Sequence, residues 1–201
     1  MAFVYNIISS KIGGIKLELN AEGDQNILYK IDTLSLAKTM LVIYLIIGFV
    51  YGIITMIFLY VTGAQISQIL VSGISYMFTN QEAIIAYPIV YTIIGLIASL
   101  VCAFAYNIIA SKIGGISFNL TSTDKYQMIN SIGIMSVAKV SLLFYMIIGL
   151  IVGGISLITI NALAIIIMLV FPIIGFTGGA VFAVIFNVTT PLVGGVGIRL
   201  E

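Results

Sequence analysis

Phe3-Val4-Tyr5-Asn6-Ile7-Ile8-Ser9-Ser10-Lys11-Ile12-Gly13-Gly14-Ile15 returns as Phe104-Ala105-Tyr106-Asn107-Ile108-Ile109-Ala110-Ser111-Lys112-Ile113-Gly114-Gly115-Ile116. The offset is 101 residues, 106 minus 5. It holds beyond the motif: Ser35, Ala37 and Lys38 match Ser136, Ala138 and Lys139, and Tyr44, Gly48 and Gly52 match Tyr145, Gly149 and Gly153. One register kept over that distance reads as an internal duplication. A degenerate third copy closes the chain, with Phe186-Asn187 for the aromatic-Asn pair and Gly194-Gly195-Val196 for the Gly-Gly-Ile. From motif to motif the second interval is shorter, so the first half carries an insertion around 64–82. The chain divides into repeats 1–101 and 102–201. In each, the motif is followed by a polar connection and two helices. The first copy of the motif has no long helix before it, and Met1 to Ser10 is expected to be a short amphipathic stub at the interface.

Composition identifies the solvent. Hydrophobic residues are 61% of the 201 and charged residues 7%, with no histidine and no tryptophan. A soluble domain carries about a quarter charged residues, so this surface belongs in lipid. No Asp, Glu, Lys or Arg occurs from Thr39 to Gln81, from Ala83 to Ser111, or from Val140 to Ile198. A helix needs roughly 20 apolar residues to cross the hydrocarbon core. Those windows predict four transmembrane helices, about Leu36 to Tyr60, Ile84 to Ser111, Val137 to Ile160 and Ala162 to Val188. The expected fold class is a mainly α membrane protein, with four transmembrane helices as two parallel two-helix repeats and short cytoplasmic β-strands after each Gly-Gly.

Glycine takes the left-handed conformation without steric cost, so Gly13-Gly14, Gly114-Gly115 and Gly194-Gly195 read as helix ends. Beyond each pair the apolar residues alternate with period two: Ile15, Leu17 and Leu19; Ile116, Phe118 and Leu120; Val196, Ile198 and Leu200. Alternation of that kind marks a half-buried strand, and three such strands on one face are expected to pair into one sheet. The stretches Asn20 to Asp32 and Thr121 to Ser131 read as polar connections. Ser35 and Ser136 read as helix N-caps.

An even number of helices separates residues 1–35, 112–136 and 189–201. That side, with Lys38 and Lys139 at its boundary, holds all eight basic residues. The positive-inside rule then places both termini in the cytoplasm of a cell-membrane protein. In that orientation the sequon Asn119-Leu120-Thr121 stays unglycosylated. Ile66, Ile69, Leu70 and Ile74, with polar residues between, predict a short helix in the outer interface. The N-terminus lacks the basic leader of a signal peptide.

The residues singled out are structural in kind. Asn6, Asn107 and Asn187 are expected to satisfy loose backbone carbonyls where each helix unwinds before its Gly-Gly. Three copies suit fold grammar better than a single ligand site. Gly48, Gly52, Gly149, Gly153, Gly175 and Gly179 fall in Gly-x-x-x-Gly spacing, which lets helix backbones approach closely. Equivalent placement of the first two pairs predicts that the first and third helices meet, or dock their neighbours, in equivalent ways. Lys38 and Lys139 sit one turn inside their helices, where a snorkelling ammonium meets lipid headgroups. Cys102 stands alone in a span and reads as a small apolar packing residue.

Several function classes recede. The net charge of +1 gives no basic stripe for nucleic acid. No Asp, Glu, Arg or His lies deep in a span, as a proton relay would need. No nucleophile–base pair or metal cluster is visible, so neither enzyme activity nor a cofactor is expected. The aromatic-Asn stretch closing on Gly-Gly, with Ser-x-Ala-Lys opening the next helix, resembles a group of small prokaryotic multi-pass membrane proteins of unknown function. The likeness covers the repeat units and implies a fold type without an activity. The expected partners are membrane lipids and further copies of the chain, as a homo-oligomer or array. The alternatives are an accessory subunit of a larger membrane complex, or a passive pore or lipid-binding protein.

Overall fold

The computed structural model describes residues 2–23, 25–62, 83–123, 126–158 and 164–198. The elements in chain order are α1 (Ala2–Ile12), β1 (Leu17–Glu22), β2 (Gln25–Ile31), α2 (Thr33–Thr62), α3 (Ala83–Ile113), β3 (Ile116–Thr123), β4 (Tyr126–Ile132), α4 (Ile134–Ile158), α5 (Ala164–Val193) and β5 (Val196–Ile198). Helices α2 to α5 are long and apolar enough to cross a membrane. At 1.5 Å per residue the 30 residues of α2 run about 45 Å, beyond the hydrocarbon core of about 30 Å. The expected outer interfacial helix, and Glu82, lie outside the described residues.

The sheet corrects the sequence reading. Five strands, rather than three, pair antiparallel in the order β1-β2-β3-β4-β5. The stretches read as polar connections contain β2 and β4, the closing strands of two hairpins. Strands β1, β3 and β5 therefore never pair with one another directly. Strand β1 also begins two residues later than the alternation suggested, at Leu17. A register shift between Glu18 and Leu19 recurs between Asn119 and Leu120. Such bulges bend a strand and increase its twist, so the two hairpins share one bend.

Two compact units form, and they partition the chain differently from the repeats. One comprises residues 1–16 and 32–103, the other 17–31 and 104–201. Hairpin β1-β2 thus clusters with the second unit, and α3 passes from one unit into the other.

In the first unit α1 packs on α2, where Ile8, Ala37 and Thr39 are buried. Thr39 returns its hydroxyl to the Ser35 carbonyl at 2.9 Å. Asp32 caps α2: its Oδ1 accepts the Ser35 N–H at 2.7 Å. Ser35 is therefore the third helical residue and not the cap, which corrects the sequence assignment. In the second unit Gly133 precedes α4, and Ser136 holds the matching third position.

The glycine pattern docks each helix on its successor. A Cβ on Gly48 would lie 2.6 Å from Pro88 Cα and 2.8 Å from the Tyr87 carbonyl oxygen. Gly95 receives the ring of Tyr44. In the second unit Gly149 faces Phe171, and Gly153 faces Met168 and the Ala164 carbonyl. Gly175 receives Tyr145, while Gly179 meets Ser141 and the Val137 carbonyl. Gly48 and Gly149, like Tyr44 and Tyr145, stand 101 positions apart, so both helix pairs use one knob and one hole. Gly52 is buried as well. Around these helices large apolar side chains remain exposed, among them Ile85, Ile166, Leu169 and Ile173. Exposure of that kind on a long helix suits lipid.

Gly48 and Gly154 give opposite expectations. Gly48→Ala drives a Cβ into backbone atoms that cannot turn aside and should cost about 1–3 kcal/mol. Gly154 has open space around its Cβ position, so Gly154→Ala should be neutral or gain up to about 1 kcal/mol of helix propensity. Thermal unfolding of the detergent-solubilised variants separates the two; equal midpoints would contradict the helix packing described.

Candidate functional site

Three helices end in the same way. The Gly13 N–H donates to the Ser9 carbonyl at 3.0 Å, Gly114 to Ala110 at 3.1 Å, and Gly194 to Thr190 at 2.9 Å. Their φ angles of 84°, 83° and 87° are left-handed, the conformation that closes a helix through this single bond. Each helix stops at one residue, so the side chains of its last two turns face the start of the strand beyond.

At the end of α3 those side chains hold a hairpin. The Tyr106 hydroxyl donates to the Leu28 carbonyl at 2.6 Å and accepts the Ile116 N–H at 3.2 Å. Asn107 takes both backbone groups of one residue: its Oδ1 accepts the Ile31 N–H at 2.8 Å, and its Nδ2 donates to the Ile31 carbonyl at 2.9 Å. Gly115 lies so close under the Leu28 carbonyl that any Cβ would collide with it. Beneath the clamp Tyr106, Ile109, Ala110 and Val140 form a buried cluster, lined by Leu28, Ile31, Ile116, Leu143 and Phe144.

The end of α5 repeats the arrangement without the two hydroxyl bonds. The Asn187 Oδ1 accepts the Ile132 N–H at 2.8 Å, and its Nδ2 donates to the Ile132 carbonyl at 2.9 Å. A Cβ on Gly195 would lie 2.6 Å from the Ile129 carbonyl oxygen. Phe186 occupies the tyrosine's place and brings no hydroxyl.

These contacts correct the expected role of the asparagines. Asn107 and Asn187 reach across to the last residue of a closing strand, and the residue they hold lies 76 and 55 positions earlier. Their own helix ends are satisfied by the glycines. At α1 the Tyr5 hydroxyl accepts the Ile15 N–H at 3.2 Å, as Tyr106 does for Ile116. The Asn6 side chain is exposed and makes no hydrogen bond among the described residues.

A second joint fixes the opening strand. The Ser35 Oγ accepts the Lys16 N–H at 2.9 Å while donating to the Asp32 carbonyl. The Ser136 Oγ accepts the Ser117 N–H at 3.0 Å and donates to the Gly133 carbonyl at 2.8 Å. Asp32 N–H to Lys16 carbonyl, and Gly133 N–H to Ser117 carbonyl, complete each joint at 3.0 and 2.7 Å. The serines were legible as helix-start residues; their hold on a backbone 19 residues earlier was not.

Lys38 and Lys139 are exposed in the second turn of α2 and α4, apart from the clamps. The paired glycines serve the helix contacts described above. Among the described residues no three His, Cys, Asp or Glu side chains gather into a metal-holding group, and no buried side-chain polar atom lacks a hydrogen-bond partner. The assembled site is therefore a device for gripping extended backbone.

The chain matches no protein-family model, no curated protein and no solved structure. Its function is argued from this geometry.

The two clamps calibrate each other. Asn107→Ala strands an N–H and a carbonyl together and should cost about 2–4 kcal/mol, with Tyr106→Phe at about 1–2 kcal/mol. Phe186→Tyr should restore the missing hydroxyl against Ile129 and stabilise by about 1 kcal/mol. Unfolding midpoints of the three variants check the order; a destabilising Phe186→Tyr would contradict the equivalence of the clamps.

Proposed function

We propose that this chain is a structural, self-associating integral membrane protein that assembles into a homo-oligomer or array. The observation that carries the reading is the sheet: β1 and β5 each pair on one side only among the described residues. An open edge presents unpaired N–H and carbonyl groups, a template for the strand of another chain. The exposed apolar faces of α2 to α5 add lateral surface on which copies can meet within a bilayer. The small-residue stripes are already occupied inside each helix pair, so the sheet edges bear more of the assembly than glycine faces do.

The reading includes a duplication and an orientation. Equivalent bonds 101 residues apart, Tyr5 to Ile15 and Tyr106 to Ile116, or Ser35 to Lys16 and Ser136 to Ser117, support a repeated unit. The gathering of all basic residues on the side of the Gly-Gly motifs supports a cytoplasmic sheet with both termini on its side. In that arrangement the assembly contacts form in water, at the membrane surface, while the helices stay in lipid.

The mass and composition of the particle extracted gently from its own membrane test this. The expected result is a particle of this chain alone, a multiple of 21.6 kDa. A monomer would overturn the reading. A particle dominated by other proteins would replace it with the accessory-subunit role.

A further inference from the structure

Three residues of the first motif leave a provision unused among the described residues. The Asn6 amide, exposed at the end of α1, bonds nothing among the described residues. The Tyr5 hydroxyl accepts the Ile15 N–H but donates to no acceptor among them. Gly14 has ordinary negative φ, and a Cβ there would meet only the Tyr5 hydroxyl at 3.3 Å and Ser9 Cβ at 3.9 Å. The backbone there is not left-handed, and the one tight contact is with the far end of the Tyr5 side chain, which a shift of a few tenths of an ångström relieves.

Their equivalents explain all three. Tyr106 gives its hydroxyl hydrogen to the Leu28 carbonyl, Asn107 clasps Ile31, and Gly115 makes room for the Leu28 carbonyl to pass over it. A backbone amide pair, a hydroxyl acceptor and a missing Cβ are all requirements of one ligand, an extended strand. At α1 the same three provisions meet no strand among the described residues. All three lie in residues 1–16 of the first unit.

We propose that Tyr5, Asn6 and Gly14 form a docking site for β1 of a second copy of this chain. The inference rests on the self-association proposed above and assigns it a contact. Every bond made by the filled clamps goes to backbone atoms, so strand conformation qualifies an occupant and side-chain sequence does not. The occupant must present residues three apart, as Leu28 and Ile31 do. Of the two open-edged strands, β1 has six residues and β5 has three described ones. Each copy carries one such clamp and one open β1, and the proposal takes the exchange to be reciprocal, as in a two-fold dimer.

The test uses the full chain in nanodiscs, comparing wild type with Asn6→Ala and Gly14→Ala by native mass and by thermal unfolding. The expected wild-type particle is dimeric. Both substitutions should weaken dimerisation on the order of tenfold or more, two lost hydrogen bonds in the first and a blocked backbone in the second. Their monomers should keep the wild-type unfolding midpoint, since neither residue supports its own fold.

An assembled wild type whose mass neither substitution changes would overturn the docking site and leave self-association standing. A monomeric wild type would remove both. Monomers that unfold at lower temperature would show that Asn6 and Gly14 serve their own chain, which also overturns the site. Loss of a different, stoichiometric protein on Asn6→Ala would refute the second copy as occupant.

Discussion

The fold depends on bonds between helix-end side chains and the backbone of distant strands. A long apolar helix keeps its backbone polar groups satisfied internally until its last turn, and a strand keeps half of its own unsatisfied at every edge. Where the two meet, each exposes what the other lacks. The left-handed glycine ends the helix abruptly, and the amide and hydroxyl before it turn toward the strand. Removing such a side chain leaves part-buried donors and acceptors without partners, at about 1–3 kcal/mol per group. The hairpins themselves are short, and two-stranded hairpins are marginal alone in water. Their stability comes from being held.

The clamps also explain why the hairpin of residues 17–31 belongs to the unit built mainly from the second half. Ser35 holds Lys16, the residue before it, within the first unit, whereas its closing strand is gripped by Tyr106 and Asn107. Each hairpin is thereby bound by the motif that comes after it in the chain, not the one that begins it. This forward grip is why strand order in the sheet follows sequence order without a crossover.

The helices were legible because their physics is local: windows without charge, long enough to span, bounded by glycine. All four appear within a few residues of expectation. The opening strands were legible through their alternation. The closing strands were missed because Gln25-Asn26-Ile27-Leu28-Tyr29-Lys30-Ile31 does not alternate and is rich in polar residues. A signal was present in the dipeptide Gly23-Asp24, whose composition favours a turn between two runs; Gly23 has a φ of 59°. The asparagines were legible as recurring and structural, but not as long-range. Sequence spacing cannot say that an amide bonds a residue 76 positions away, because that distance is set by where the closing strand lies.

Backbone-only recognition has a consequence for the strands it holds. A clamp that bonds only backbone places no hydrogen-bonding demand on the side chains of the strand it holds. Tyr-Asn and Gly-Gly recur at an offset of 101 residues, whereas Ile27-Leu28-Tyr29-Lys30-Ile31 corresponds at that offset to Met128-Ile129-Asn130-Ser131-Ile132. Only the terminal isoleucine, whose side chain joins the buried floor in the first hairpin, persists. The surface of the sheet can therefore change its chemistry, from the Lys30–Glu18 ion pair in one hairpin to the uncharged Asn119–Ser131 bond in the other, without altering the architecture beneath.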